Sequence, residues 1–129
     1  SQYCTTIQLH GDEDNAFIEK IKKFTSLEVI KVIKIIKKSD LEKIKNYPSA
    51  NELLLDTPAM GQSGEAFNFN LLKDTQDDKF FLAGKIDINN VETALKYSDK
   101  IDVNSGLETE KGIKDPKKIK EFFNMVHKL

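Results

Sequence analysis

Three short apolar runs end in small or acidic residues: Leu53-Leu54-Leu55-Asp56-Thr57, Phe80-Phe81-Leu82-Ala83-Gly84 and Ile101-Asp102-Val103-Asn104-Ser105-Gly106. Unbroken apolar runs of this length are what a parallel strand covered on both faces requires, and the break at the carboxyl end is where such a strand opens onto a site. Carboxylates would then stand where chemistry happens. Elsewhere the period changes to that of a helix. Ile7 to Leu9 closes a short strand, after which Asp12 is expected to cap a helix in which Phe17, Ile18, Ile21 and Phe24 recur at helical spacing. Glu28 to Ile36 has lysines every third residue, compatible with helix or strand, and its β-branched density favours strand. Ser39 is read as the cap of a helix carrying Leu41 and Ile44, ended by Pro48. Strands are expected at Glu52 to Asp56, Lys79 to Gly84 and Lys100 to Asn104. The last helix opens at Asp115-Pro116, a cap followed by proline in the first turn, and is expected to bury Ile119, Phe122, Phe123 and Val126.

From strand to strand the interval is roughly 21 to 27 residues, the length of one βα unit, with no linker or low-complexity stretch between. The pattern predicts an α/β fold of five βα units in a single domain over residues 1–129, with parallel strands and right-handed crossovers.

Composition narrows the partners. A chain of 129 residues fills one domain with a core able to stand without staples, and its formal charge of −1 gives no reason to expect nucleic acid or an anionic membrane as partner. Lysines cluster near Lys31 to Lys38 and Lys111 to Lys120, but acidic residues flank both runs, which are read as solvated faces. All 20 basic residues are lysine, so a planar bidentate grip on a carboxylate is not available from this chain. One cysteine excludes an internal disulfide, and with two scattered histidines it forms no recognisable metal cluster; a reducing, cytoplasmic setting is the simplest expectation. No apolar run approaches the roughly 20 residues of a membrane span, and from the structured-looking sequence at Ser1 no signal peptide is expected.

The segments that end the strands form a recognisable series. Gln8-Leu9-His10-Gly11-Asp12-Glu13, Leu53-Leu54-Leu55-Asp56-Thr57, Gly61-Gln62-Ser63-Gly64-Glu65-Ala66-Phe67-Asn68-Phe69, Leu82-Ala83-Gly84, Asn89-Asn90-Val91 and Asp102-Val103-Asn104-Ser105-Gly106-Leu107-Glu108, closed by Gly112-Ile113-Lys114-Asp115-Pro116, run nearly the length of the chain. In this order the series resembles the phosphoribosylanthranilate isomerase family. That family is a (βα)8 TIM barrel that converts N-(5-phosphoribosyl)anthranilate to its ribulose derivative by an Amadori rearrangement in tryptophan biosynthesis, without a cofactor. The chain is similar to units four to eight. The first three units, which in the family supply a cysteine general base and an arginine for the anthranilate carboxylate, have no counterpart in these residues.

The resemblance implies a role for each strand end. Asp56 matches the general acid that protonates the ribose ring oxygen, and an aspartate at the carboxyl end of an apolar strand faces the barrel mouth, where partial burial can raise its pKa. The plain alternative is a turn aspartate before Pro58. Asp102 and Gln8 match residues that contact the ribose hydroxyls and reacting carbons; alternatively, Asp102 caps a turn and Gln8 bonds barrel backbone. His10 is left outside the catalytic set, as a lone histidine beside a strand-end glycine. Phosphate binding falls to Gly84 and the Ser105-Gly106 pair, through backbone N–H groups of the loops after the last two strands and a short helix start. Where the family usually carries a second glycine after Gly84, this chain has Lys85, which either supplies charge to the phosphate or clashes with it. Gly61-Gln62-Ser63-Gly64 is a candidate lid or an ordinary surface connection, and it lacks the Gly-Lys-Ser/Thr of a mononucleotide loop. Cys4 lies four residues before Gln8, roughly 13 Å below the carboxyl rim at strand spacing, out of reach of a substrate, and is read as a small buried or terminal residue.

Five parallel strands leave two open sheet edges where eight would close a barrel, so self-association or pairing with a complementing amino-terminal segment is expected. An open doubly wound sheet is the alternative architecture. The expected function is a sugar-phosphate isomerase whose base and carboxylate contact lie outside this chain. A catalytically silent phosphate-binding or scaffold fragment of a barrel is the second class. Other phosphate-binding barrels, such as epimerases or the tryptophan synthase α subunit, fit the combined Gln8-His10 and Asp102-Ser105-Gly106 motifs less well.

Overall fold

The computed structural model describes residues 3–56, 72 and 80–129. Strand β1 (Thr6–Leu9) leads to helix α1 (Asn15–Phe24), strand β2 (Glu28–Lys34), a 3-10 helix (Lys38–Asn46) and strand β3 (Glu52–Asp56). Strand β4 (Phe80–Leu82), helix α2 (Val91–Leu95), a 3-10 turn (Ser105–Leu107), short strands β5 (Glu108–Glu110) and β6 (Ile113–Lys114) and helix α3 (Pro116–His127) follow. The expected lid, Gly61-Gln62-Ser63-Gly64, lies outside the described residues.

Strands β1 to β4 form one sheet in chain order, every neighbouring pair parallel. Register runs straight across it: Val32 opposes Leu54, Leu54 opposes Phe81, and Lys34 opposes Asp56. The segment expected as a fifth strand joins through one parallel bridge between Leu82 and Ile101, in which the Leu82 N–H donates to Lys100 O at 2.9 Å and the Asp102 N–H donates to Leu82 O at 2.8 Å. Lys100 is tied back across β4 to Glu52 on β3 at 2.6 Å, and the Glu52 carboxylate holds its ammonium pKa above 10.5. The buried Ser98 hydroxyl donates to Phe80 O at 2.6 Å and fixes the chain's entry to this bridge.

Alternation along the strands sends side chains to two different packing faces. Leu55, Phe80 and Leu82 meet Ile33, Ile35, Val91, Ala94, Leu107 and Phe122 under the carboxyl-terminal helices. Leu9 and Val29 meet Ile18 of α1. On the opposite face Val32, Leu54 and Ala83 are buried together with Ile30 and Phe81 partly buried beside them. Leu54 and Leu55 are therefore both enclosed, on opposite sides of one strand, each stabilising the fold by about 2 kcal/mol. This is why the run before Asp56 shows no alternation.

Several local expectations are corrected. Asp14, not Asp12, caps α1, accepting from the Phe17 N–H at 2.9 Å. Phe17 and Phe24 are 46% and 77% exposed, so only Ile18 and Ile21 turn that helix toward the sheet. The Leu41/Ile44 helix is a 3-10 helix with Ser39 inside it. Its entry is held by Asp40, whose carboxylate accepts from the Ile36 and Lys37 N–H groups at 2.9 and 3.0 Å and pairs with Lys43 at 3.1 Å. A carboxylate takes two amides at once, which a serine hydroxyl does less strongly. Phe123 is 49% exposed while Phe122 is buried. Lys31 does not belong to a solvated face at all: it is 1% exposed, on the helix-covered side of β2, with Nζ donating to Gly11 O at 2.7 Å, 3.7 Å from Glu13 and over the Tyr47 ring. The long stem reaches the polar turn after β1 through apolar surroundings.

The backbone N–H of Ile36, then that of Lys37 and the Lys43 ammonium, hold the Asp40 carboxyl at about 2 against an ordinary 3.8. A lowered carboxyl pKa gives stability that is complete above pH 3.8 and lost as pH falls through about 2. Asp40→Ala is expected to cost about 1 kcal/mol at neutral pH, and the difference from the parent to shrink on acidification between those values. Urea unfolding midpoints from pH 6 down to about pH 2 measure it.

Candidate active site

The carboxyl ends of the strands bring the expected site residues to one side of the sheet. Gln8, exposed at the end of β1, and Asp102, exposed just past the Ile101 bridge, line a single cleft of about 250 Å³ whose floor is Ile30, Leu54, Phe81 and Ile101. Asp56 is half-buried and lies two residues beyond Leu54 on the same face, about 6 to 7 Å farther along β3. Its carbonyl accepts from the Ile35 N–H at 2.6 Å, so the backbone that carries the carboxylate is locked into the sheet. Lys34, also exposed, stands opposite Asp56 in the register of β2.

Gly106 of the second expected phosphate segment packs against Ile86 and Asp87, the residues that follow Gly84 and Lys85 of the first. A Cβ on Gly106 would stand 2.1 Å from Ile86 O and 2.9 Å from the Asp87 Cβ, so Gly106 is seated directly on the backbone after β4. That loop turns through two consecutive positive φ values, 111° at Gly84 and 50° at Lys85. Glycine adopts this region freely, whereas a lysine there costs roughly 1 kcal/mol. Asn90 holds the strained loop at both ends: its amide donates to Lys85 O at 3.0 Å and its carbonyl accepts from the Asp87 N–H at 2.9 Å. Among the described residues, the N–H groups of Gly84, Lys85, Ser105 and Gly106 meet no acceptor. Gly106 also lines a small hollow in which the carboxylates Asp87 and Glu121 stand with Lys118.

His10 and Cys4 stand apart from the cleft. His10 lines a different hollow, with Gly11, Lys31, Lys34, Lys43 and Tyr47. Cys4 is exposed ahead of β1, the terminal one of its two expected placements. Among the described residues no group of three His, Cys, Asp or Glu side chains is arranged to hold a metal ion, and no helix is long and apolar enough to cross a membrane.

A family profile described as N-(5′-phosphoribosyl)anthranilate (PRA) isomerase matches residues 2–125. The chain belongs to this family. It is 40% identical over 129 residues to the N-(5′-phosphoribosyl)anthranilate isomerase of Clostridium acetobutylicum, covering 95% of this chain and 61% of that one. Against the Thermoanaerobacter pseudethanolicus isomerase it is 42% identical over 126 residues, covering 93% of this chain and 60% of the relative. Among solved structures, the phosphoribosylanthranilate isomerase of Thermotoga maritima, described as monomers generated from a dimeric enzyme, superposes with a TM-score of 0.76 at 28% identity, over 97% of this chain and 61% of that one. The chain thus spans about three-fifths of the length of these relatives. The parallel strands of this isomerase-family chain follow the barrel-like architecture of those neighbours.

Two features beside these loops carry no clear mark in the sequence. The β5–β6 hairpin was not anticipated, although its turn carries Gly112 at φ 84° and its ends are the motif residues Glu108 and Lys114. Glu108 accepts from the Gly112 N–H at 3.1 Å and pairs with Lys114, whose ammonium, with that N–H, keeps the carboxyl below its ordinary range. Asn90 belongs to the Asn89-Asn90-Val91 segment, and no periodicity marks a side chain that bridges its own loop.

Gly106→Ala is expected to destabilise the chain by about 3 kcal/mol, because the methyl group meets the carbonyl oxygen of Ile86, whose neighbours Lys85 and Asp87 are both held by Asn90. Lys85→Gly is expected to do the opposite, raising stability by about 1 kcal/mol through relief of the left-handed backbone. Denaturant titration of both variants beside the parent measures the two signs.

Proposed function

We propose that this chain carries the acid, ribose and phosphate contacts of an N-(5′-phosphoribosyl)anthranilate isomerase of tryptophan biosynthesis, as a single domain over 1–129 made of units four to eight of a (βα)8 barrel. The supporting observation is the side shared by Gln8, Asp56 and Asp102, with Gly106 seated on the Gly84–Asp87 loop beside it. In this reading the Asp56 carboxyl gives its proton to the furanose oxygen as the C1′–O bond breaks, and the anilino nitrogen lone pair forms the C1′=N bond. Loss of the C2′ proton to a base then returns that pair to nitrogen through a C1′=C2′ enol, and protonation at C1′ with loss of the C2′-hydroxyl proton, which restores the acid, leaves the 2-ketone. Every atom of the substrate is retained, so the reaction asks for proton transfer and no cofactor. Gln8 and Asp102 hold the ribose hydroxyls. The amides of Gly84, Lys85, Ser105 and Gly106, with the Lys85 ammonium, hold the phosphate.

The base and the anthranilate carboxylate contact come from residues outside these 129, supplied by a complementing segment in a cytoplasmic setting; the open edge of β1 is where such a segment, or a second copy, would pair. A second reading, a catalytically silent phosphate-binding or scaffold fragment, is favoured by one observation: the chain's sole cysteine is exposed ahead of β1, away from the cleft. In a preparation that contains these residues and consumes phosphoribosylanthranilate, Asp56→Asn is expected to lower kcat by about a thousandfold with a smaller change in KM, followed by loss of substrate fluorescence. An unchanged kcat would remove Asp56 as the acid.

A further inference from the structure

The motif Gly112-Ile113-Lys114-Asp115-Pro116 is not used by any step above, yet it folds back onto the turn expected to receive phosphate. Lys114 on β6 donates to two acceptors at once, the Asn104 side-chain carbonyl and the Glu108 carboxylate. These two residues bracket Ser105-Gly106-Leu107 in the chain. The same turn is held by backbone bonds on either side: the Leu107 N–H donates to Asn104 O at 3.1 Å, and the Asp115 N–H donates to Leu107 O at 2.8 Å. A second lysine, Lys118 on α3, donates to Glu108 O at 2.7 Å. Asn104 has no side-chain bond to its own turn, so its orientation depends on Lys114.

We propose that Lys114, by bridging Asn104 and Glu108, is a positioning residue that holds the Ser105-Gly106 turn in the shape in which its amides receive the phosphate of the substrate. The inference rests on the phosphate site proposed above and adds the element that presets it. Lys114 acts through the turn, because its charge is already matched by Glu108 and its donors are directed to Asn104 and Glu108. A turn with free amides would otherwise pay the ordering cost when the anion arrives, and a clamp made in advance removes that cost from binding. The Gly106 contact with Ile86 then transmits the preset shape to the Gly84–Lys85 loop.

The probe is inorganic phosphate, titrated into the 129-residue chain while the Gly84 and Gly106 amide resonances are followed by NMR. In the parent both amides are expected to shift with saturation. Lys114→Met is expected to raise the phosphate Kd about tenfold, or about 1.4 kcal/mol, and to move the Gly106 amide even without phosphate. Lys114→Arg restores most of the affinity. Lys120→Met, which removes the same charge from an exposed position of α3, is expected to change Kd less than twofold. Should Lys114→Met fail to fold, Asn104→Ala removes the other end of the bridge at an exposed residue and is expected to raise Kd about threefold. Saturating shifts of unchanged Kd in folded Lys114→Met or Asn104→Ala overturn the clamp and leave the phosphate site standing. A parent chain whose Gly84 and Gly106 amides ignore phosphate overturns the site and the clamp together.

Discussion

The straight parallel register of β2, β3 and β4 is the constraint on which the rest of the structure depends. With Val32, Leu54 and Phe81 in one row and Ile33, Leu55 and Leu82 in the next, both faces of the sheet are filled by apolar side chains. A polar side chain in the middle of such a strand would have to be buried on one face or the other, at a cost of several kcal/mol without partners. Apart from Lys31, whose ammonium finds Gly11 O at 2.7 Å, the polar side chains of these three strands stand at the strand ends. Asp56, Gln8 and Asp102 stand on this side of the sheet near the strand ends, and the cleft between Gln8 and Asp102 is floored by Ile30, Leu54, Phe81 and Ile101. Slippage of β3 by one residue would turn Asp56 into the helix-covered core and Leu55 into the cleft.

Around this sheet, the loops are fixed by single polar side chains. Asn90 holds the loop after β4 through a donor and an acceptor, Ser98 anchors the approach to Ile101, Asp40 closes the entry to the 3-10 helix, and buried Lys31 draws the turn after β1 down onto β2. The left-handed backbone at Lys85 belongs to the same pattern. Local strain at the rim is tolerated because Asn90 and the seat of Gly106 determine the loop from both sides.

What could be read from the sequence follows the strength of the physical signal. Strand β3 was legible to the residue, because Leu53-Leu54-Leu55 before Asp56 has no helical period, and α3 was legible at its start because Asp115 followed by Pro116 is a strong cap. Cap choice was less legible. Asp12 and Asp14 are equally good residue types, and Ser39 and Asp40 lie side by side, so only the backbone path decides which carboxylate reaches the amides. The burial of Lys31 was hidden because a charged residue in a lysine-rich run is ordinarily solvated, and its partners, Gly11 and Glu13, are 20 and 18 positions away. The site was legible as a series of strand ends that resembles one family, with its chemistry carried by that resemblance rather than by spacing. The Lys114 bridge was not, since it joins residues across a hairpin that composition does not announce.

In the function proposed, these residues form the acid and phosphate side of a phosphoribosylanthranilate isomerase. The most direct measurement joins this chain to the part of the Clostridium acetobutylicum relative that it does not match and follows phosphoribosylanthranilate by its fluorescence. Turnover is expected in the joined protein and in neither part alone. A joined protein that folds, binds inorganic phosphate and leaves the substrate unchanged would contradict it.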